Sequence, residues 1–207
     1  MLLNSFPAAP ALPLPSSRDY PNELNNVLRL YFNQLSQRLQ SVTGASGGQY
    51  LQTVYGAFEN TANQTLTANT ATAMVWSQTD YANGVTLSNS SRLNVTATGI
   101  YNLQFSTQFQ NADNQLHDAN IWLRVNGSDI AGSTGLASIP NSHGGTPGHA
   151  IVGWNFFLSL SKNDYVELYC SVDSAQVTIQ AYAAGITPTR PSTASNVVTL
   201  TFVSTVK

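Results

Sequence analysis

Hydrophobic residues change their spacing early in the chain, and the change separates a helical stretch from a long β region. Between residues 21 and 43 they recur at helical intervals. Leu28, Phe32, Leu35, Leu39 and Val42 are spaced 4, 3, 4 and 3, which is a heptad seam. Pro21 suits a first turn, Asp19 or Tyr20 can cap it, and Glu23 sets negative charge near the positive end of the helix dipole. Gly44, followed by Ala-Ser-Gly-Gly, stops it. Leu24, Leu30 and Tyr31 widen the stripe, so two readings stand. The helix either self-associates through its seam or packs as an amphipathic helix on its own domain or on a neighbouring protein.

From residue 49 to the end, short runs rich in Val, Ile, Thr, Tyr, Phe and Trp predict strands. The candidates are 50–58, 71–76, 85–87, 92–96, 100–109, 119–125, 150–160, 165–172, 176–182 and 197–206. Ala82-Asn83-Gly84, Thr98-Gly99, Asn126-Gly127, Lys162-Asn163-Asp164 and Asp173-Ser174 supply turn chemistry between them. About ten antiparallel strands with no intervening helix predict a mainly β domain over 49–207, a jelly-roll sandwich. No repeat of a propeller or solenoid is present. Residues 59–70, 132–148 and 185–196 resist the strand reading and are expected as loops. The last two are where a β scaffold usually carries variable binding.

Ahead of the helix, residues 1–20 form a different kind of segment. Pro7, Pro10, Pro13 and Pro15 punctuate alanines and leucines, which predicts an extended, polyproline-like arm. Such an arm becomes ordered only by lying against a surface. Phe6, Pro7, Pro10, Leu12, Pro13, Leu14 and Tyr20 are the residues expected to grip that surface.

Composition narrows the function. Only 9% of residues are charged, while Ser, Thr, Asn and Gln supply 76 of 207, so the surface is polar through hydroxyls and amides. The six arginines are scattered at 18, 29, 38, 92, 124 and 190, and the net charge is −2. Nucleic-acid binding, which needs clustered cations to neutralise phosphates, is not expected. The lone Cys170 excludes an internal disulfide and alternates with Val166 and Leu168, so it is expected as a buried structural thiol. Apolar runs are too short and broken for a membrane helix. Met1-Leu2-Leu3-Asn4 lacks the basic start and apolar run of a signal peptide, so a role outside a cell would be reached by lysis within a virion.

Candidate chemistry is sparse. His117-Asp118 could supply a base and its orienter, but no Gly-x-Ser-x-Gly elbow provides a nucleophile. The stretch from His143 to His149 is glycine-rich without the lysine of a phosphate loop. Asp113-Asn114 with Asp118 could hold a hard cation through oxygens, but surface-loop polarity is the favoured reading. No catalytic activity, cofactor or metal is expected.

Between residues 99 and 182 the motifs stand in a telling order. Gly99-Ile100-Tyr101-Asn102-Leu103-Gln104-Phe105 is followed by Ile121-Trp122-Leu123-Arg124-Val125-Asn126-Gly127. Then come Leu158-Ser159-Leu160-Ser161-Lys162-Asn163-Asp164-Tyr165-Val166-Glu167-Leu168 and Gln176-Val177-Thr178-Ile179. This series resembles the tumour necrosis factor and complement-head superfamily, with Asn163 where that family usually has glycine. The resemblance implies a homotrimeric jelly roll whose aromatics line the three-fold axis. Tyr101, Phe105, Phe109, Trp122, Trp154, Phe156, Tyr165 and Tyr182 are accordingly expected either at that axis or in the core. The overall plan of arm, helix and sandwich resembles head decoration (cement) proteins of tailed bacteriophages. That implies a non-enzymatic protein on the outer capsid surface, whose arm and helix bind the major capsid protein. The alternative is a tail fibre or spike head whose loops 132–148 and 185–196 bind a host glycan or protein receptor.

Overall fold

The computed structural model describes residues 10–16, 18–43 and 53–205, the side chains of 38–43 excepted. Backbone contacts group the chain into two units, residues 1–53 and 54–207.

In the first unit, α1 (Tyr20–Thr43) is one continuous helix. Asp19 opens it. Its carbonyl accepts from the backbone N–H groups of Asn22 and Glu23, both at 3.0 Å, and its carboxylate accepts from the Asn22 amide at 2.6 Å. Leu24, Val27, Leu28, Tyr31 and Leu35 are half-buried, whereas Leu30 and Phe32 are exposed. Phe32 thus stands off the half-buried stripe, with its ring edge-on to Tyr31. In the arm Pro10 and Pro13 are half-buried, as is Tyr20 at the helix start, while Leu12 and Leu14 are exposed. Phe6 and Pro7, and the side chains of Leu39 and Val42, lie outside the described residues.

The described residues of the second unit form β1 (Tyr55–Asn60), β2 (Thr72–Ala73), β3 (Gln78–Asn83), β4 (Val85–Ser88), β5 (Arg92–Val95), β6 (Gly99–Asn111), β7 (His117–Val125) and β8 (Ser128–Asp129). They continue with β9 (Gly135–Ile139), β10 (Gly148–Val152), β11 (Asn155–Leu160), β12 (Tyr165–Val172), β13 (Val177–Ile179), β14 (Gly185–Ile186), β15 (Thr189–Arg190) and β16 (Asn196–Ser204). The first sheet runs β10-β6-β16-β1-β3, with β11 extending β10 along one edge of β6 and β13 extending β16 along the other. In the second sheet the order is β4-β5-β12-β7-β8, with β2 on β12 and β9 on β7. The chain crosses between sheets at most of its long connections: β1 lies in the first, β5 in the second, β6 in the first, β7 in the second, β10 in the first and β12 in the second. This is a jelly-roll-like antiparallel sandwich.

Period-two alternation decides what each sheet buries. Along β6, Tyr101, Leu103, Phe105, Thr107, Phe109 and Asn111 all point inward. Of these, Tyr101, Leu103, Phe105 and Phe109 share one hydrophobic core with Ile121 and Leu123 of β7 and with Val166, Leu168, Cys170 and Val172 of β12. Burial pushes the Cys170 thiol up to about 12, so it is an inert core group. The expected turns form with the geometry their residues favour. Asn126 and Gly127 have φ of 50° and 82°, and Asn163 has φ of 74°. The Asn126 amide donates to Asp164 Oδ1 at 2.8 Å and its oxygen accepts from Tyr165 N–H at 3.0 Å, so these two turns also hold each other.

Several expected segments differ in detail. Of 71–76 only Thr72–Ala73 pairs as a strand, though Met74 and Trp76 are buried. The strand expected over 150–160 is broken at Gly153 and Trp154. A Cβ on Gly153 would meet the Phe105 carbonyl oxygen at 2.3 Å, a close approach that only glycine permits. β3 is exposed along its whole length and pairs with β1, so no hydrophobic alternation announces it. The presumed loop 132–148 contains β9, and 185–196 holds the small hairpin of β14 and β15.

Candidate functional site

The outer face of the first sheet carries apolar side chains among polar ones, most of them uncharged. Down its centre, β6 presents Ile100, Asn102, Gln104, Ser106, Gln108 and Gln110. Register places Phe157 and Thr201 on either side of Asn102, Asn155 and Thr199 beside Gln104, Val197 beside Ser106, and Ile151 beside Gln108. Phe157 is 62% exposed and Ile151 74%, with Val197 also open to solvent. Two ionisable groups stand along these rows: Glu59 of β1, beside Val197, and His149, opposite Gln110 at one end. A cleft of about 440 Å³ opens on this face where the strand breaks at Gly153, between Gln104, Ser106, Ile151 and Trp154. Around Phe157 and Ile151 the neighbours Asn102, Gln104 and Gln108 are uncharged, so this part of the face loses little on desolvation, which suits burial against another protein surface.

The outer face of the second sheet is built differently. There β12 and β7 align Glu167 with Arg124, Tyr169 with Trp122, and Ser171 with Asn120. The Arg124 guanidinium lies 3.8 Å from the centroid of Tyr169, and Arg92 lies 4.4 Å from that of Tyr165. Asp129 Oδ1 accepts from both Arg124 Nε and Trp122 Nε1 at 2.8 Å. These bonds hold the Asp129 carboxyl below its usual range, the Arg124 bond contributing most. The Glu167 carboxylate is buried, where it accepts from Ser91 Oγ at 2.6 Å and lies 3.6 Å from Arg92 Nε. Beside Trp122 a cleft of about 550 Å³ is lined by Asn120, Asp129, Ile130, Thr134 and Ser171.

His117 is held by carboxylates on both ring nitrogens: Asp113 Oδ2 lies 2.9 Å from Nε2 and Asp173 Oδ1 lies 3.0 Å from Nδ1. Its sequence neighbour Asp118 instead accepts from Ser138 Oγ. The arrangement ties the β6–β7 and β12–β13 connections together, and with both nitrogens occupied the imidazole has no free edge for a base. The hydrogen bond to Asp113 raises the His117 pKa above its ordinary 6.5, and the same bond lowers Asp113 below 3.8. The contribution of His117 is therefore full below pH 6.5 and is lost as pH rises through its raised pKa. Asp113 contributes above pH 3.8 and loses its share only in stronger acid. The melting-temperature gap between the native chain and His117→Asn is expected to be widest at about pH 5 and to narrow by about pH 9. A gap that does not change with pH would show that ion pairing adds nothing to this contact.

Of the aromatics expected at an axis or in the core, Tyr101, Phe105 and Phe109 lie inside the sandwich of a single chain. Trp154 and Phe156 pack at the edge of that core, with Trp154 edge-on to Phe105 at 4.9 Å. Trp122 and Tyr165 belong to the outer face of the second sheet. Tyr182 lies on the rim, with its hydroxyl 3.1 Å from Gln110 Oε1 and 3.0 Å from His149 Nδ1. His143 exchanges backbone hydrogen bonds with Thr146 across a tight turn, apart from this pair. Among the described residues no group of three His, Cys, Asp or Glu side chains is placed to hold a metal. The outward residues Ile151 and Phe157 were not singled out in the sequence, although Phe156-Phe157-Leu158 carried the signal. Three apolar residues in a row on a strand must turn at least one outward.

Fold and surfaces together define a jelly-roll-like β-sandwich protein preceded by a helix. Comparison with known proteins adds no relative: the chain matches no protein-family model and no curated protein.

Proposed function

We propose that this protein is a non-enzymatic structural component of a virus particle, a trimer of jelly-roll heads on the outer capsid surface. Its N-terminal arm and helix would bind the major capsid protein and reinforce the shell. The observation that carries the reading is the exposed apolar row of Phe157, Ile151 and Val197 on the outer face of the first sheet. Further copies of the same chain are the partner that such a face fits, because one heterologous contact repeated by a three-fold rotation closes into a ring without a second gene product. The order of motifs between residues 99 and 182 supports three copies. Exposed Leu12, Leu14, Leu30 and Phe32 in the first unit supply apolar area for capsid attachment, worth roughly 25 cal/mol per Å² buried. Three linked attachment segments would bind far more tightly than one.

The test is quantitative mass spectrometry of purified particles, calibrated on the major capsid protein. Copies comparable in number with capsid lattice positions support decoration, whereas a few copies would move the protein to a tail fibre or spike. Deleting residues 1–43 is expected to abolish particle binding while the head remains a folded trimer. Decoration by the truncated head would refute the attachment role.

A further inference from the structure

We infer that the cleft beside Trp122 is a binding site for an uncharged pyranose sugar, formed by the outer face of the second sheet and the segment 129–134. The inference goes beyond the structural role and does not depend on it, since a decoration trimer and a fibre head could both carry the site.

The cleft has an aromatic wall that is fixed in place. The Trp122 indole is tethered through Nε1 to Asp129 Oδ1 at 2.8 Å and lies against Tyr169, with centroids 6.0 Å apart and a tilt of 33°. Arg124 braces Tyr169 from its ring face and Asp129 from Oδ1. The opposite wall is also held. Ile130 N–H donates to the Leu123 carbonyl at 2.9 Å, and buried Ser133 donates through Oγ to the Ile130 carbonyl at 2.7 Å while accepting from Leu123 N–H at 3.0 Å. Little ordering is left for a ligand to impose.

Around this wall stand polar groups that the fold does not use. Asn120 and Ser171 face each other across β7 and β12, and Thr134 stands on the opposite rim. Among the described residues none of these three side chains engages a protein hydrogen bond. Asp129 Oδ2 also remains open, since both of its partners bind Oδ1. A flat apolar ring beside amide, hydroxyl and carboxylate groups matches the two faces of a pyranose. Its C–H face covers an aromatic ring, and its hydroxyls both donate and accept. The volume of about 550 Å³ accommodates one or two sugar rings. Charge selects the class. Asp129 keeps a carboxylate at the rim, and Arg124, the nearby cation, is already paired with it, so an anionic sugar would meet repulsion without a free counter-charge.

The test is saturation-transfer NMR on the full chain with methyl glucoside, methyl galactoside, methyl mannoside, N-acetylglucosamine and lactose, plus N-acetylneuraminic acid as the anionic probe. At least one neutral sugar is expected to bind with an affinity of about millimolar, and Trp122→Ala and Asn120→Ala should each weaken it by about tenfold. Should Trp122→Ala fail to fold, Asn120→Ala decides alone, because that side chain makes no bond within the protein. Silence from every neutral sugar overturns the inference. So does binding that survives both substitutions, or binding of the anionic probe alone.

Discussion

The Phe157→Asp variant is expected to elute as a folded single chain of 22.2 kDa, against three times that mass expected of the native protein under the proposed trimer. Phe157 stands 62% exposed on β11, opposite Asn102 on the outer face of the first sheet, so the isolated sandwich has room for a carboxylate there. In an assembly that covers this face the same carboxylate would be desolvated in every copy, with no cation on the neighbouring rows to pair with it. Burying an unpaired charge costs several kcal/mol, which is more than a single interface side chain returns. Light scattering coupled to size exclusion reads the mass, and circular dichroism reads the fold. Val197→Asp, beside Ser106 on the same face, should act alike. A trimer that survives both substitutions would place the interface on another surface.

The Phe109→Ala variant is expected to fail in the opposite way. Phe109 is 1% exposed, on β6 between Ala150 of β10 and Ile179 of β13, and it fills the middle of the sandwich. Truncating a buried phenylalanine removes transfer free energy and leaves a cavity, at about 3–5 kcal/mol. Against a total of roughly 5–15 kcal/mol for a domain, that threatens the fold itself. The urea midpoint should drop by the same amount in the native protein and in the Phe157→Asp background, because a core residue acts within one chain. A loss confined to the assembled protein would instead give Phe109 an inter-chain role. Phe109 and Phe157 are both phenylalanines on the first sheet, so the contrast isolates which face each one occupies.

Particular elements show why much of this arrangement could be read ahead and some could not. β6 was expected because Tyr101, Leu103 and Phe105 alternate, and the structure buries all three. The Asn126-Gly127 and Asn163 turns were expected because those residues tolerate positive φ, and they adopt it. β3 was missed because it is a polar edge strand with no buried alternate positions. β9 was missed because its exposed Leu136 and small residues do not alternate clearly within a glycine-rich stretch. Asp118 was one possible partner for His117 by adjacency, but the imidazole turns to Asp113 and Asp173, on two connections that the sandwich brings together.

While the helix cap stayed open between Asp19 and Tyr20, the helix over 21–43, most of the strands, the tight turns and the buried Cys170 were legible in the amino-acid sequence. All of these follow from short-range rules: side-chain period, backbone preference and burial of apolar positions. That Phe109 faces inward and Phe157 outward, and that Asn120, Trp122, Asp129, Thr134 and Ser171 line one cleft, emerged from the folded chain. Those facts depend on which distant strands pair and in what register. Register is settled by the whole sandwich closing over its core, and no local stretch of sequence carries it.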